Sequence, residues 1–572
     1  MPDRINHRPN FPPITQPPAN NTSPTNNTSP TNNTTPTGGI TAEMQRTLGL
    51  AQANNTSSVL KTWFAPYEDT RKPELALLDE VIAARKADPR TFQEGQNPYK
   101  INYAVYNISS QEILEKLAEA NRAGVDVQVL IEEDQLDPQK TWNDGDDYLI
   151  RNGFEFAPDH KKLTPEERHT ADLIGINNST LMHLKTRIFQ YPDPQTGDLK
   201  QTVLTGSMNP GESAIHNDEN LMQINDPRVA RRYIEMYEAV RDGKEIKNDF
   251  DPQSPINVMF TGAPVKDGQS VTRQIFNMID QEKEAIFLSV FTLRNLTTDS
   301  DRQNLVDKLK AAHDRGVPVV VITDKKQSDG VDAQGNRTFS DDQTEDLLQK
   351  AGIPTYEALN PSGPFNAMHA KSAVFGLSDI KVITDTGNWT KAALSGRGSR
   401  YAQNEESYLF VDSGKLDNNQ TGMRYLGNFL NLLRAYAPQN PDQPAAEELI
   451  NKLSSHPAWP RVKVDFSVMA HTFMGQDIYI TGNHPAVGNW TQDGPGLKLN
   501  TSPGRYPFWE SGGALELPFG SQFEYKIVKR EPNGSLQWEA GPNAFLIVDP
   551  TDARYGQGTG NTLLRSDDFK PR

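Results

Sequence analysis

One short pattern occurs twice in this chain, and the repetition restricts its fold more than any other feature. The first copy reads HLKTRIF from His183, and the second reads HAKSAVF from His369. Each copy is followed by a polar turn, TGSMN ending at Asn209 and TDTGN ending at Asn388. A single His-x-Lys carries little information, but two copies with the same followers indicate two related halves.

The repetition extends well beyond the pattern itself. Equivalent positions keep similar separations: 185 residues from Tyr106 to Phe291, 192 from Gly124 to Gly316, 186 from His183 to His369, and 187 from Glu219 to Glu406. Both copies show the same order of amphipathic helix patterns and apolar strand patterns. This alternation predicts two α/β halves with largely parallel sheets. The glycines at 124 and 316 stand where helix C-caps are expected.

The two ends of the chain differ in composition from the repeated halves and from each other. The Asn/Thr/Pro repeats near the start lack apolar residues, which predicts disorder. Short alternating runs separated by Gly, Pro and Asn predict a C-terminal all-β sandwich of the immunoglobulin-like type. We therefore divide the chain into a disordered tail (1–45), a first repeat (46–250), a second repeat (251–436), a linker (437–460), the β sandwich (461–555) and a polar tail (556–572).

Bulk properties exclude several functions. The net charge of -16 argues against broad DNA or RNA affinity. No apolar stretch reaches the length of a membrane span, so stable membrane insertion is not expected. The chain has no cysteine, and its histidines show no common metal-ligand spacing. No Sec-type signal is visible at the start. We expect an extracellular location, which would then be reached by another route, and leave a cytoplasmic location open.

The repeated residue types suit phosphodiester chemistry. One imidazole can attack phosphorus, and a second can protonate the leaving oxygen. Lysines and asparagines supply fixed donors for the phosphoryl oxygens. Residues i and i+2 of an extended segment share a face, so each histidine should lie beside its lysine, Lys185 or Lys371. Glu219 and Glu406 are placed to orient the imidazoles, which predicts one site between the two halves.

The doubled His-x-Lys with its later Asn resembles the signature of the phospholipase D superfamily: His-x-Lys, four residues, Asp, and then a Gly-Ser-x-Asn turn. The resemblance covers about residues 59–435. It implies a two-step displacement through a phosphohistidine, with His183 as nucleophile and His369 as general acid, or the reverse. It implies neither a metal nor a cofactor. The residues that would hold the phosphoryl group are Lys185, Lys371, Asn209 and Asn388.

The chain departs from this signature at the aspartates. Gln190 stands at the first Asp position and Gly376 at the second, with Asp379 as a candidate replacement three residues later. In the second turn, Asp385 and Thr386 replace Gly-Ser. In the superfamily that Asp supports the reaction without reacting itself, so the chemistry is expected to survive its loss.

The C-terminal stretches FMGQDIYITGNHPAVGNW, YPFW, FEYKIVK and QWEAGPN resemble, in this order, the starch-binding domain of carbohydrate-binding module family 20. The resemblance covers about residues 461–555. It implies that Trp490 and Trp538 stack on sugar faces. Its polar partners for sugar hydroxyls correspond to Lys526, Glu539 and Asn543. The tyrosines of the family's second site have only Phe473, Met474 and Tyr506 near their positions, so a second site is not expected.

These observations predict a phosphodiesterase of the phospholipase D type, a hydrolase of lipid metabolism that is directed to starch or glycogen. Its simplest substrate is a phospholipid, by hydrolysis or phosphatidyl transfer. Two alternatives stay open. One is a catalytically inactive α-glucan-binding adaptor, favoured by the changed residues Gln190, Gly376 and Asp385. The other is a nuclease of the same superfamily.

Overall fold

The structure is a computed structural model, and the predicted tail of residues 1–45 lies outside the residues that it describes. The described ranges are 58–93, 95–136, 144–177, 181–262, 270–297, 304–328, 343–362, 366–394, 404–490, 496–511, 515–552, 554–555, 557–559 and 562–571. Within these ranges no helix is both long and apolar enough to cross a membrane.

The first half is a mixed sheet flanked by helices. Its strands are β1 (Leu60–Ala65), β2 (Lys100–Val105), β3 (Asp126–Glu132), β4 (Phe156–Ala157), β5 (Leu173–Ile176), β6 (Lys185–Pro192), β7 (Leu199–Gly206) and β8 (Glu219–Ile224). Its helices are α1 (Lys72–Ala87), α2 (Gln111–Arg122), α3 (Gly145–Arg151), α4 (Glu167–Thr170) and α5 (Pro227–Asp242). The strand order is β1-β8-β7-β6-β2-β3-β5-β4.

The second half is built in the same way. Its strands are β9 (Ile256–Phe260), β10 (Ile286–Val290), β11 (Val319–Asp324), β12 (Thr355–Ala358), β13 (Lys371–Phe375), β14 (Lys381–Asp385) and β15 (Ser407–Asp412). Its helices are α6 (Val271–Gln281), α7 (Leu305–Asp314), α8 (Lys325–Ser328), α9 (Thr344–Lys350), α10 (Lys391–Leu394), α11 (Ser413–Asp417) and α12 (Gln420–Tyr436). The strand order is β9-β15-β14-β13-β10-β11-β12.

Followed from its first strand, each sheet has the same order over seven strands, and the first sheet has β4 in addition at its far edge. The repeat in sequence is therefore a repeat of topology. The expectation of largely parallel sheets is wrong, because only β2-β3-β5-β4 and β10-β11-β12 pair in parallel. The motif strands β6 and β13 pair antiparallel with both of their neighbours. Short connections such as residues 193–198 allow a hairpin, whereas a parallel crossover needs a dozen residues or more.

Local sequence explains where helices begin and end. The carboxylate of Asp226 caps α5 by accepting from the backbone of Val229, and Gly243 ends that helix with φ +66°. Gly124 and Gly316 follow α2 and α7 with φ of +82° and +87°. These left-handed conformations confirm the two predicted helix ends.

The C-terminal module consists of two packed sheets. Helix α13 (Ala446–Ser454) precedes it. The strands are β16 (Arg461–Met469), β17 (Asp477–Gly482), β18 (Leu497–Lys498), β19 (Phe508–Glu510), β20 (Leu515–Pro518), β21 (Gln522–Arg530), β22 (Leu536–Trp538), β23 (Ala544–Ile547), β24 (Gln557–Thr559) and β25 (Thr562–Asp568). One sheet runs β19-β16-β25-β24 with β20 beside β16, and the other runs β18-β17-β21-β22 with β23 beside β21.

The prediction of a polar tail after residue 555 is wrong. β25 lies between β16 and β24 and pairs in parallel with β16 over seven positions. The segment reads as polar because few of its side chains are apolar, and of its two leucines only Leu563 is buried while Leu564 is 51% exposed. A polar side chain of the strand also finds a partner in the module, because Arg565 Nε donates to the hydroxyl of Tyr525 at 2.7 Å.

Helix α12 joins the three parts of the molecule. It contacts β1 of the first half and β10, β12, β13 and β14 of the second. The guanidinium of Arg424 pairs with Glu68 at 2.7 Å and donates to the carbonyl of Thr551 at 3.0 Å. Arg434 donates to the carbonyl of Gly520 at 2.5 Å. The module therefore packs directly against the α/β halves through this helix.

Candidate active site

Each histidine motif lies where a strand begins. Lys185 is the first residue of β6, and Lys371 is the first residue of β13. Each lysine Nζ donates to the carbonyl of the histidine two residues earlier, at 2.8 Å for His183 and 2.9 Å for His369. Both lysines are buried. The His-x-Lys spacing thus places one imidazole and one ammonium group at the entrance of the same strand in each half.

The glutamates reach the histidines across the boundary between the halves. Glu406 accepts a hydrogen bond from Nδ1 of His183 at 2.8 Å, and Glu219 accepts one from Nδ1 of His369 at 2.8 Å. The backbone shows the same exchange, because the amide of His183 donates to the carbonyl of Glu405 at 3.0 Å. Each imidazole is therefore oriented by a carboxylate from the other half, and the two motifs build a single site.

A hydroxyl and an amide hold each of these carboxylates. They are Ser207 and Asn217 on Glu219, at 2.6 and 3.0 Å, and Thr386 and Asn404 on Glu406, at 2.9 and 3.2 Å. Sequence reasoning assigned these four residues no role. A signal for the two amides was present in the sequence, because Asn217 and Asn404 each stand two residues before the glutamate that they hold. Residues i and i+2 of an extended segment share a face.

An aromatic ring covers each His-Lys pair. The ring centroid of Tyr106 lies 5.2 Å from that of His183, and the ring of Phe291 lies 4.6 Å from that of His369. The lysine Nζ atoms lie 5.8 Å and 5.1 Å from the same two ring centroids. The rings limit the water around the lysines and stabilise their charge through the π face.

Burial sets the protonation of the site. It lowers the pKa of His369 to about 4 and also lowers that of His183, against the opposing effect of the glutamates. Burial lowers the pKa of Lys185 to about 8 and that of Lys371 to about 7, again opposed by nearby carboxylates. Burial thus favours a neutral imidazole near pH 7, the form that attacks phosphorus. An arriving phosphate anion would favour protonation of the lysines and of the second imidazole, the form that donates a proton.

The two predicted asparagines share an unusual feature. The side-chain Oδ1 atoms of Asn209 and Asn388 are buried and have no hydrogen-bond partner within the described part of the chain. Such atoms are rare in folded proteins and call for a partner that arrives from outside. Rotation of the amide by 180° places its NH2 group there instead, which suits a phosphoryl oxygen.

Two further carboxylates support the motifs and were missed in the sequence. Glu132 ends β3 and accepts from the amide of Met182 at 2.5 Å, while Asp324 ends β11 and accepts from the amide of Met368 at 3.2 Å. Burial raises the pKa of Glu132 to about 7 and that of Asp324 to about 6. The two are 192 residues apart, the same separation as the paired glycines, so the repeat itself contained the signal.

The positions of the missing motif aspartates lie away from the histidines. Gln190 is near the far end of β6, where its side-chain oxygen accepts from Gln201 at 2.9 Å. Gly376 follows β13 with φ +81°, and a Cβ there would lie 2.6 Å from the carbonyl oxygen of Asp379. Asp379 pairs with Lys381 at 2.6 Å in the turn beyond β13. The sequence had suggested Asp379 as a replacement for the motif aspartate, and its position in this turn contradicts that suggestion.

The predicted sugar-binding residues separate into two groups. Trp490 and Trp538 are both partly exposed. Lys526 is buried, and its Nζ donates to three backbone carbonyls, those of Glu539, Gly541 and Pro542. It therefore holds the turn after Trp538, and its expected contact with sugar hydroxyls stays a prediction.

The remaining predicted sugar-binding residues reach the surface of the module. Glu539 is partly exposed, and Asn543 is exposed with its Nδ2 on Glu524 at 2.8 Å. Trp509 is a core residue, because it is buried and its Nε1 donates to the carbonyl of Ala470 at 3.2 Å. Near the expected positions of a second site, Phe473 is 83% exposed and Tyr506 is 44% exposed.

Comparison with known proteins separates the chain into the same parts, the two α/β halves and the C-terminal module. A family profile described as "Cardiolipin synthase, PLD-like domain" matches residues 93–241 and again 275–421. A profile described as "Starch binding domain" matches residues 461–555. The duplicated match alone spans more than half of the chain.

Individual relatives resemble parts of the chain. An alpha-amylase from Streptomyces violaceus is 41% identical over 101 residues, which are 18% of this chain and 16% of the amylase. The lytic polysaccharide monooxygenase A of Aspergillus terreus is 32% identical over 88 residues, 15% of this chain and 22% of that protein. The chain thus spans less than a quarter of the length of these relatives.

Among solved structures, the phosphatidylserine synthase of Haemophilus influenzae is 11% identical, with a TM-score of 0.44, and the match covers 72% of this chain and 96% of that one. By the two family-profile matches, the chain belongs to the phospholipase D-like family, with two such domains followed by a starch-binding domain of carbohydrate-binding module family 20.

Proposed function

We propose that the chain is an active phosphodiesterase that works on a phospholipid and is held on starch or glycogen by its C-terminal module. One observation carries the proposal: each imidazole donates its Nδ1 hydrogen to a buried carboxylate of the other half. This contact leaves Nε2 of both histidines as the nitrogens for a single phosphate. The family description names cardiolipin synthase, which supports a phospholipid over a nucleic acid.

The chemistry runs in two displacements. Nε2 of one histidine attacks phosphorus while the bond to the leaving oxygen breaks, and that oxygen takes its electron pair and the Nε2 proton of the other histidine. In the second step, water or an alcohol gives its proton back to the second histidine and attacks phosphorus, and the P–N bond breaks. Two lysines and two asparagines stabilise the charge on the phosphoryl oxygens.

The test compares three substrates with a matched set of variants. Labelled phosphatidylcholine, single-stranded DNA and bis(4-nitrophenyl) phosphate are each incubated with the wild type, His183→Ala, His369→Ala and the control His471→Ala, whose histidine is exposed on the module. We expect lipid turnover in the wild type and the control, and its loss in both motif variants. Turnover of DNA alone would mean that the substrate is a nucleic acid and not a lipid. No turnover of any substrate would favour the catalytically inactive glucan-binding adaptor.

Glucan targeting is tested separately. Pull-down on insoluble starch should retain the wild type and lose the double variant Trp490→Ala/Trp538→Ala, because flat aromatic faces supply most of the contact with a sugar. The control is Phe473→Ala/Met474→Ala, an exposed apolar pair on another loop. Starch binding that survives in the tryptophan variant, or is lost only in the control, would place the sugar site elsewhere.

A further inference from the structure

The two asparagine turns are held by different side chains in the two halves. In the first half, Nη1 of Arg187 donates to the carbonyl oxygen of Met208, the residue before Asn209, at 2.8 Å. The same nitrogen donates to the carbonyl oxygen of Lys185 at 2.9 Å. One guanidinium therefore ties the turn that carries Asn209 to the strand that begins with Lys185.

In the second half, a tyrosine holds the corresponding turn. The hydroxyl of Tyr408, in β15, donates to the carbonyl oxygen of Asn388 at 2.6 Å. Burial raises the pKa of Tyr408 well above its usual range, so the hydroxyl remains a donor at neutral and mildly alkaline pH. The ring lies against the turn itself, because a Cβ at Gly387 would be 2.1 Å from Cζ of Tyr408.

Neither side chain has an equivalent in the other half. Four positions after the motif histidine, the first half has Arg187 and the second has Ala373. Two positions after the glutamate that holds a histidine, the first half has Leu221 and the second has Tyr408. Alanine and leucine have no side-chain donor. Each half therefore holds its turn with a group that the other half does not have.

The charge of Arg187 is compensated inside the first half. Arg187 is fully buried, and Glu74 of α1 pairs with it at 3.2 Å. The hydroxyl of Tyr103, opposite Arg187 on β2, donates to the same carboxylate at 2.8 Å. In the second half, Leu288 lies opposite Ala373, and both belong to an apolar cluster. A buried ion pair is often no more stabilising than apolar residues of similar volume, so its presence in one half points to a use beyond stability.

Both contacts act on turns whose asparagine side chains lack a partner. The Oδ1 atoms of Asn209 and Asn388 are buried and have no hydrogen-bond partner among the described residues. The bonds from the two holding side chains reach the backbone of Asn388 itself and of the residue before Asn209. A donor to a phosphoryl oxygen is most effective when it needs no reorganisation as charge develops. A fixed turn therefore favours a fixed position of the asparagine amide.

We propose that Arg187 and Tyr408 are positioning residues that hold Asn209 and Asn388 in place for the phosphoryl group. This inference rests on the proposed function. Both residues act through the asparagines, because their donors are directed at carbonyl oxygens of the two turns. Loss of either contact should weaken the binding of a phosphate analogue without removing a group that touches the analogue.

Removal of one hydroxyl gives the sharpest test. Tyr408→Phe keeps the ring and removes only the donor. The matched control is Tyr356→Phe, because Tyr356 is also buried and its hydroxyl donates to a backbone oxygen, that of Pro444, at 2.8 Å. Vanadate affinity is measured by calorimetric titration, kcat and KM are measured with bis(4-nitrophenyl) phosphate, and urea unfolding reports the stability of both variants.

We expect Tyr408→Phe to weaken vanadate binding by roughly three- to tenfold and to lower kcat, as the loss of one hydrogen bond would do. Tyr356→Phe should bind vanadate like the wild type although its stability falls by a similar amount. Equal vanadate affinities in the two variants would overturn the inference and leave the proposed function intact. A wild type that neither binds vanadate nor turns over any substrate would overturn the proposed function, and this inference with it.

Arg187 requires a variant that leaves no buried charge without a partner. Removal of Arg187 alone would leave the charge of Glu74 buried and unpaired, which strongly destabilises a protein. Glu74→Gln/Arg187→Met removes both charges together, and cooperative urea unfolding checks that the variant folds. We expect weaker vanadate binding in this variant. A folded double variant that binds vanadate like the wild type would overturn the role of Arg187.

A double-mutant cycle shows whether Tyr408 acts through its own asparagine. Tyr408→Phe is combined with Asn388→Ala and, as the control combination, with Asn209→Ala. Once the Asn388 amide is absent, loss of the Tyr408 hydroxyl should weaken vanadate binding no further, whereas its effect should multiply with that of Asn209→Ala. Multiplied effects in both combinations would overturn the inference, because Tyr408 would then act independently of Asn388.

Discussion

At the scale of single residues, the far end of strand β6 explains how the chain tolerates its altered signature. Gln190 lies five positions after Lys185 along the strand, a distance of roughly 17 Å. The glutamine amide bonds to the neighbouring strand, and Gly376 occupies a left-handed turn in the other half. Neither position contacts the reacting groups, so these changes alone do not argue for an inactive site.

Introducing the aspartates of the superfamily signature should therefore not raise activity. Gln190→Asp is expected to leave turnover and the free energy of unfolding nearly unchanged. Gly376→Asp should lower the free energy of unfolding by about 1–3 kcal/mol, because it forces a side chain into a left-handed turn against a carbonyl oxygen. Urea unfolding and turnover per folded molecule check both variants. A severalfold gain in turnover from Gln190→Asp would contradict this account of the strand.

The buried lysines predict the pH dependence of anion binding. Because the pKa of Lys371 is lowered to about 7 and that of Lys185 to about 8, the free site loses positive charge as the pH rises through this range. Vanadate should bind best below pH 7 and weaken above pH 8 by up to about tenfold per pH unit for each proton taken up. Calorimetric titrations between pH 6 and 9 measure this.

Lys371→Arg is the matched control, because a guanidinium stays charged throughout this range. The variant should show a shallower pH dependence than the wild type even where its affinity is lower. An unchanged pH dependence would mean that Lys371 does not carry the titrating charge.

At the scale of elements, β25 shows how a strand with few apolar residues can be central to a sheet. Its register with β16 places successive side chains on opposite faces, so Leu563 enters the core while Leu564 faces outward. Sequence pattern alone favours a tail, since the inward positions after Leu563 are polar and find partners only in the folded module, as Arg565 does on Tyr525.

The two leucines give a matched test of this strand. Leu563→Ala should lower the free energy of unfolding of the module by about 2–5 kcal/mol, the range for a buried leucine. Leu564→Ala should change it by less than about 0.5 kcal/mol. Tryptophan fluorescence during urea unfolding and starch pull-down measure both variants. Equal, small effects would mean that the segment does not form a core strand.

The order of strands shows what the sequence could and could not predict. The repeat, the helix ends at Gly124 and Gly316 and the residues of both His-x-Lys motifs are visible because they depend on local pattern. The antiparallel motif strands and the exchange of Glu219 and Glu406 between halves depend on contacts far apart in sequence. The repeat shows that two segments are alike, but it does not show whether each glutamate binds the histidine of its own half or that of the other half.

At the scale of the whole molecule, the starch-binding domain and the α/β halves meet along α12. Arg424 and Arg434 of this helix are buried and donate to backbone oxygens of the module. Gly520 approaches the same helix so closely that a Cβ would lie 2.3 Å from Cδ1 of Leu430. The module is thus held to the halves by this direct contact with α12 and not by the predicted linker of residues 437–460 alone. We therefore expect the three parts to unfold together.

Two glycines of the module test that contact. Gly520 and Gly534 have similar φ, +80° and +87°, but nothing lies within 4 Å of a Cβ at Gly534. Gly520→Ala and Gly534→Ala should share the cost of a left-handed alanine, and only Gly520→Ala should separate the calorimetric transition of the module from that of the halves. Identical transitions in the two variants would indicate that the contact does not couple them.

The exchange of glutamates has a consequence for how such a chain can have arisen. A pair of identical subunits could carry the same crosswise contacts, with each copy lending its carboxylate to the other. In that assembly every substitution appears twice, and both histidines would have identical surroundings. In one polypeptide the two copies inherit substitutions separately, so a change can appear on one side alone. Gly206, which ends β7, and Asp385, which ends β14, are equivalent positions that differ in this way.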